Sequence, residues 1–138
     1  MKFFELKNGR TFLLKLEYGR GIIEQLVEFL FAKKIETAYL SGIGAVKMAE
    51  IGYYDQERKE YVKRKIEEPM ELLSLTGNVS LRDGKPFCHV HVVLGKDSMI
   101  YAGHLFDAEV FACEIYLVEL EGKVSRSYDE QTGLYLWT

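Results

Sequence analysis

Only one stretch of the chain, residues 22–34, has the apolar spacing of an amphipathic helix, and strand-forming segments fill most of the remainder. Ile22, Leu26 and Phe29 recur at the three- and four-residue intervals that place side chains on one helical face. Runs rich in β-branched and aromatic residues predict strands at 11–17, 37–43, 47–54, 61–66, 71–80, 87–94, 99–105, 110–120 and 133–137. Many strands with one helix predict an α+β fold, in which the helix packs on one face of a mostly antiparallel sheet.

The composition indicates one folded domain over residues 1–138. Of the 138 residues 48% are apolar, and no linker interrupts them, which excludes a disordered chain and a two-lobed enzyme. A formal net charge of −3 argues against a protein that binds nucleic acid through a basic surplus. No segment has the length of a membrane span, and the charged start does not resemble a signal peptide. With Cys88 and Cys113 far apart, we expect reduced thiols and a cytoplasmic protein.

All three histidines of the chain fall in two neighbouring predicted strands. His89 and His91 are two residues apart, so their side chains point to the same face of a strand. Residues 95–98 read as a tight turn, and pairing of Leu94 with Met99 would place His89 directly opposite His104. His91 would then lie diagonally beside His104, and the three imidazoles would converge on one patch.

Three neutral imidazoles on a rigid face suit a divalent metal such as zinc, with one coordination position left for water or substrate. The alternative is a set of histidines whose nitrogens are satisfied by hydrogen bonds in a core or an interface. Cys88 points to the opposite face, which reads as core under the helix, and is not counted as a ligand.

Two further residues are candidates for catalysis. Glu71 begins an apolar strand and would act as a general base or as a hydrogen-bond partner of a histidine. Arg10 precedes the first strand and would bind an anion or pair with a carboxylate. Ordinary solvated charges are the alternative for both. The Gly42-Ile43-Gly44 motif lacks the third glycine of a dinucleotide fingerprint and predicts a turn or a close backbone approach.

Several motifs occur in the order found in a known family. They are Arg10, Leu-Ser-Gly-Ile-Gly-Ala at 40–45, Gly-Tyr-Tyr-Asp at 52–55, Glu-Leu-Leu-Ser-Leu-Thr-Gly-Asn at 71–78, Asp-Gly-Lys-Pro-Phe at 83–87, His-Val-His at 89–91 and Gly-His-Leu at 103–105. With these motifs the chain resembles a stand-alone PPC domain, named for plants and prokaryotes conserved. More remotely, its architecture is similar to that of the acetolactate decarboxylases, which hold zinc with three histidines.

The resemblance implies a homotrimer with a zinc site near the subunit interface, held by His89, His91 and His104. Plant relatives add an AT-hook that binds DNA, and this chain contains no Arg-Gly-Arg-Pro segment. The prediction is therefore a homotrimeric zinc protein, a lyase or hydrolase acting on a small molecule that the sequence does not name. The alternatives are a DNA-binding or regulatory protein, as in the plant relatives, and a trimeric scaffold without catalysis.

Overall fold

The computed structural model describes all 138 residues and confirms the α+β prediction, with eight strands and one helix. The elements in chain order are β1 (Lys7–Lys15), α1 (Ile22–Lys33), β2 (Ala38–Asp55), β3 (Glu60–Ile66), β4 (Met70–Arg82), β5 (Lys85–Lys96), β6 (Met99–Glu121), β7 (Ser125–Asp129) and β8 (Leu134–Trp137). α1 lacks the length and apolar character that a helix needs to cross a membrane.

β2 and β6 organise the sheet because each pairs with partners along its whole length. The first half of β2 lies between β4 and β6, and its second half lies between β6 and β3. β6 also pairs with β5, and β5 pairs with β4. The strands β2, β6, β5 and β4 therefore form a closed ring of antiparallel neighbours. β1 pairs with β6 outside this ring, while β7 and β8 extend the sheet from β4.

Four of the predicted strands are in fact two long ones. The segments predicted at 37–43 and 47–54 join as β2, and those at 99–105 and 110–120 join as β6. The breaks between them are irregularities in the pairing of β2 with β6, where a bulge bends a strand without ending it. β7 was not predicted, because its sequence Ser-Arg-Ser-Tyr-Asp is mostly polar and has little strand propensity.

α1 packs against the inner face of this ring and supplies part of its core. Ile22, Leu26 and Leu30 are fully buried in a core cluster of 25 residues. The first turn is fastened to β6, since the carboxylate of Asp107 accepts a hydrogen bond from the backbone N–H of Ile23 at 3.0 Å. The opposite, outer face of the ring is therefore the one that the helix leaves uncovered.

Gly44 marks a close approach of two backbones, as the Gly-x-Gly motif predicted. It has a φ of 156° and pairs with Cys113, and a Cβ at this position would overlap the carbonyl oxygen of Ala112. A side chain here would push β2 away from β6. The motif therefore serves strand pairing.

We predict that Gly44→Ala destabilises the protein by about 3 kcal/mol, because the methyl group meets backbone that cannot move aside. Gly84→Ala is the matched control: Gly84 has a φ of 74° with open space around it, so only its backbone strain, about 1 kcal/mol, is expected. Urea unfolding followed by circular dichroism measures both losses. Equal losses for the two variants would contradict the close approach.

Candidate metal centre

The three histidines lie on the outer face of the ring. His89 and His91 belong to β5 and His104 to β6. Residues that alternate with them, such as Cys88 and Val90, are buried in the core. The prediction that Cys88 points away from the histidines is thereby confirmed.

The predicted pairing of the hairpin between β5 and β6 is wrong by two residues. Lys96, and not Leu94, is opposite Met99, so the turn contains only Asp97 and Ser98. His104 is therefore directly opposite His91, while His89 is the diagonal neighbour. A shift of two residues leaves every side chain on its predicted face, and for this reason the histidines still converge.

The imidazole rings form a compact triangle. Their centroids are 5.1 Å apart for His89 and His91, 5.3 Å for His89 and His104, and 5.5 Å for His91 and His104. Each ring offers a nitrogen that lies within 4.8 Å of the nitrogens of the other two. His91 is exposed, whereas His89 and His104 are partly buried, so the triangle is open to solvent on one side.

The surroundings keep two of the imidazoles neutral. Burial lowers the pKa of His89 from 6.5 to about 4, and the nearby positive charge of Arg126 contributes to the shift. Burial likewise lowers the pKa of His104 from 6.5 to about 4. Neutral imidazole is the form that binds a metal, because its unprotonated nitrogen keeps a free lone pair.

One nitrogen is left without a partner inside the protein. His104 Nδ1 is buried and makes no hydrogen bond, although a buried polar atom normally has one. This argues against the alternative of histidines satisfied by hydrogen bonds. Together with the convergence of the rings and their neutral state, it fits a divalent metal ion held by His89, His91 and His104.

An aromatic wall encloses one side of the triangle. The rings of Tyr61 and Phe106 each lie with their centroids 4.9 Å from that of His104. The wall and the histidines line a cavity of about 870 Å³, a volume in the range of small-molecule sites. A second cavity of about 530 Å³ reaches His89 and His91 from beside Tyr39.

Arg126 is a polar residue of this site that the sequence did not indicate. It lies on β7 and lines the larger cavity with the histidines. Its guanidinium donates hydrogen bonds to Ser80 Oγ at 2.6 Å, to Asn78 Oδ1 at 2.8 Å and to the carbonyl of Tyr135 at 3.0 Å. No local sequence signal could have found it, because only the parallel pairing of β7 with β4 brings it here.

The structure does not bring Arg10 or Glu71 to the histidines. Arg10 forms an ion pair with Glu119, with 2.6 Å between Nε and Oε2, and lies on β1, which pairs with residues 114–121 of β6, ten or more residues along that strand from His104. Glu71 is exposed and pairs with Gly95, which is about 13 Å of extended strand beyond His91. Neither residue lines the two cavities. Their catalytic roles stay predictions.

Comparisons with known proteins agree with this fold. Residues 4–121 match the Plants and Prokaryotes Conserved (PCC) domain family. The chain is similar to a metal-containing protein from Archaeoglobus fulgidus, with 58% identity, a TM-score of 0.98, and coverage of 100% of this chain and 99% of the other. It is also similar to a plant- and prokaryote-conserved protein from Pyrococcus horikoshii, with 41% identity, a TM-score of 0.95 and coverage of 100% and 97%.

A third structure is a protein from Bacteroides thetaiotaomicron whose name proposes DNA binding, with 25% identity, a TM-score of 0.87 and coverage of 96% of both chains. Acetolactate decarboxylase from Bacillus subtilis is similar in fold alone, with 14% identity, a TM-score of 0.59 and coverage of 88% of this chain and 56% of the other. No curated protein matches the sequence. The chain belongs to the PPC family, as its motifs predicted.

We predict that the metal-free protein loses stability as the pH falls from about 6.5 to about 4. The unfolded chain takes up protons near pH 6.5, whereas His89 and His104 resist protonation in the folded state down to about pH 4. Urea unfolding in the presence of a chelator, at several pH values, measures this slope. Carboxylates begin to titrate at the lower end of this pH range. The double variant His89→Gln/His104→Gln is the control, because it keeps their contribution and lacks that of the two histidines. Parallel slopes for the two proteins would contradict the prediction.

Proposed function

We propose that the protein is a homotrimer that binds a divalent metal, zinc, through His89, His91 and His104, and that it acts on a small molecule as a lyase or hydrolase. The observation that carries the proposal is the convergence of three imidazoles, two of which are held neutral. One of their nitrogens, His104 Nδ1, is buried and has no hydrogen-bond partner. When bound, zinc supplies a Lewis acid that polarises a carbonyl or lowers the pKa of bound water.

The chain itself supplies the enclosure and the polar groups around that centre. Tyr61 stacks on His104, and burial raises the pKa of its phenol, so it keeps its proton and can donate a hydrogen bond into the cavity. Phe106 packs against both rings and excludes water from that side.

The similar protein from Archaeoglobus fulgidus, named as metal-containing, supports a metal in this chain as well.

Exposed apolar side chains on the outer face of the ring support the trimer. Cross-strand partners run in one row across the outer face, from Leu13 through Tyr116, Ser41, Thr76 and His91 to His104. Leu13 on this face is 83% exposed. Ile43, which follows Ser41 by two residues on β2 and therefore points to the same face, is 58% exposed. Apolar surface of this kind favours symmetric association, which would place the metal sites close to the interfaces.

We predict that the protein, purified without an affinity tag, contains about one zinc ion per chain, and that His89→Ala or His104→Ala removes it. Two imidazoles hold zinc poorly, so each variant is expected to lose affinity by orders of magnitude while it stays folded. Elemental analysis after dialysis measures the content. Cys88→Ala/Cys113→Ala is the matched control and should keep its metal. Full metal content in both histidine variants would show that the ligands lie elsewhere.

We predict a particle of about 48 kDa in light scattering, three times the 15.9 kDa of one chain. Ile43→Glu should lower this mass, because a carboxylate buried in an interface without a partner is costly. Phe31→Glu introduces the same charge at an exposed aromatic residue on the helix and should leave the mass unchanged. A wild-type mass of about 16 kDa at micromolar concentration would refute the trimer.

DNA binding is the second candidate, and its support comes from the names of similar proteins, such as the one from Bacteroides thetaiotaomicron. The net charge is −3. In the short basic cluster Lys-Arg-Lys at residues 63–65, two side chains are already paired, Lys63 with Glu50 and Lys65 with Glu67. We expect duplex DNA to bind weakly at low salt and not at all near physiological salt. Fluorescence anisotropy over a salt series tests this, and a steep dependence of a tight affinity on salt would favour DNA.

A further inference from the structure

Arg126 carries a positive charge that no carboxylate of the protein neutralises. Its three hydrogen bonds go to a hydroxyl, an amide oxygen and a carbonyl, which are all neutral acceptors. A guanidinium has five N–H bonds, so two of them, one on each terminal nitrogen, donate to no protein group. Arg10, by contrast, is paired with Glu119 and lies outside this site.

This guanidinium lies next to the histidines. Asn78, which accepts a hydrogen bond from Arg126, is the direct cross-strand partner of His89. Direct partners in an antiparallel pair have Cβ atoms about 5 Å apart on the same face. Arg126, His89, His91 and His104 also line the same cavity.

The residues that line the cavity shared by Arg126 and the histidines carry a net positive charge, although the net charge of the whole chain is −3. Lys59, Arg82 and Arg126 line it, against a single acidic residue, Glu60. The only carboxylate near Arg82 belongs to Asp83, at 3.9 Å, and Arg82 stacks on the ring of Tyr135. A partly enclosed surface of one sign raises the local concentration of ions of the opposite sign.

We propose that this cavity binds a small molecule bearing a carboxylate, which pairs with the Arg126 guanidinium while the rest of the molecule faces the three histidines. A carboxylate has two oxygens for the two remaining N–H bonds, and such pairs are among the strongest hydrogen bonds in proteins. Ser80, Asn78 and the Tyr135 carbonyl hold the guanidinium in place, so little side-chain entropy is lost on binding. The part that faces the histidines rests on the proposed metal site, whereas the carboxylate contact does not.

Electrostatic repulsion within the site also favours a carboxylate ligand. A divalent metal held by the histidines would repel the partly buried charge of Arg126, because like charges repel more strongly where water is scarce. A carboxylate bound to Arg126 would reduce this repulsion. The ligand is therefore expected to bind more tightly when the metal is present, and the metal more tightly when the ligand is present.

Isothermal titration calorimetry of the zinc-loaded and the chelator-treated protein tests the proposal. The probes are pyruvate, its neutral analogue methyl pyruvate, and inorganic phosphate. We expect pyruvate to bind both forms, and the zinc-loaded form more tightly. Methyl pyruvate should bind at least tenfold more weakly, because it lacks the charge that Arg126 pairs with.

Two variants locate the contact. Arg126→Gln should weaken pyruvate at least tenfold and leave the zinc content intact. Asn78→Asp keeps the arginine but sets a carboxylate against it, and it should weaken pyruvate to a similar degree in a protein that still folds. Arg64→Gln is the matched control, since Arg64 stacks on Tyr101 and does not line the cavity; it should bind pyruvate as the wild type does.

The outcomes separate this proposal from the metal site. If the protein contained no zinc as purified and took none up from solution, the metal site of the proposed function would be refuted, whereas Arg126-dependent binding of pyruvate to that protein would still support the carboxylate contact. Equal pyruvate affinity for the wild type and Arg126→Gln, or no pyruvate binding to the zinc-loaded wild type, would overturn the contact. Phosphate binding more tightly than pyruvate, in an Arg126-dependent way, would overturn the choice of a carboxylate.

Discussion

The pairing of β2 with β6 is the constraint on which the rest of the structure depends. Each strand is long enough to take different neighbours at its two ends, and their bulges bend them so that β4 and β5 close a ring. The inside of this ring holds the core and receives α1. The outside receives the histidines, because strand alternation sends them away from the buried Val90 and Val92.

Burial then sets the chemistry of the outer face. It lowers the pKa of His89 and His104 and leaves their lone pairs free at neutral pH. Partial enclosure also strengthens the attraction of the Arg126 guanidinium for an anion, because water screens a charge less inside a cavity than at an open surface. A patch of neutral nitrogen donors next to an unneutralised guanidinium suits two ligands at once, a cation and an anion, and this combination distinguishes the site from an ordinary group of surface histidines.

The hairpin between β5 and β6 shows how far sequence reasoning extends to a site. Alternation with a period of two assigned the three histidines and Cys88 to their correct faces. The pairing depends on the length of the turn: the sequence predicts a turn over residues 95–98, whereas only Asp97 and Ser98 form it. Because the error was two residues, the predicted cluster survived, and a one-residue error would have sent His104 into the core.

The sequence by itself determined the α+β class, the helix, the family and the three candidate ligands, because periodicity, glycine positions and short motifs are local properties of the chain. Only the tertiary structure decided which charges act at the site. It neutralises Arg10 with Glu119, which is 109 residues away, and it brings Arg126 beside His89 through a strand that has almost no strand signal of its own. The partners of a charge are set by contacts between distant segments, and no local pattern records them.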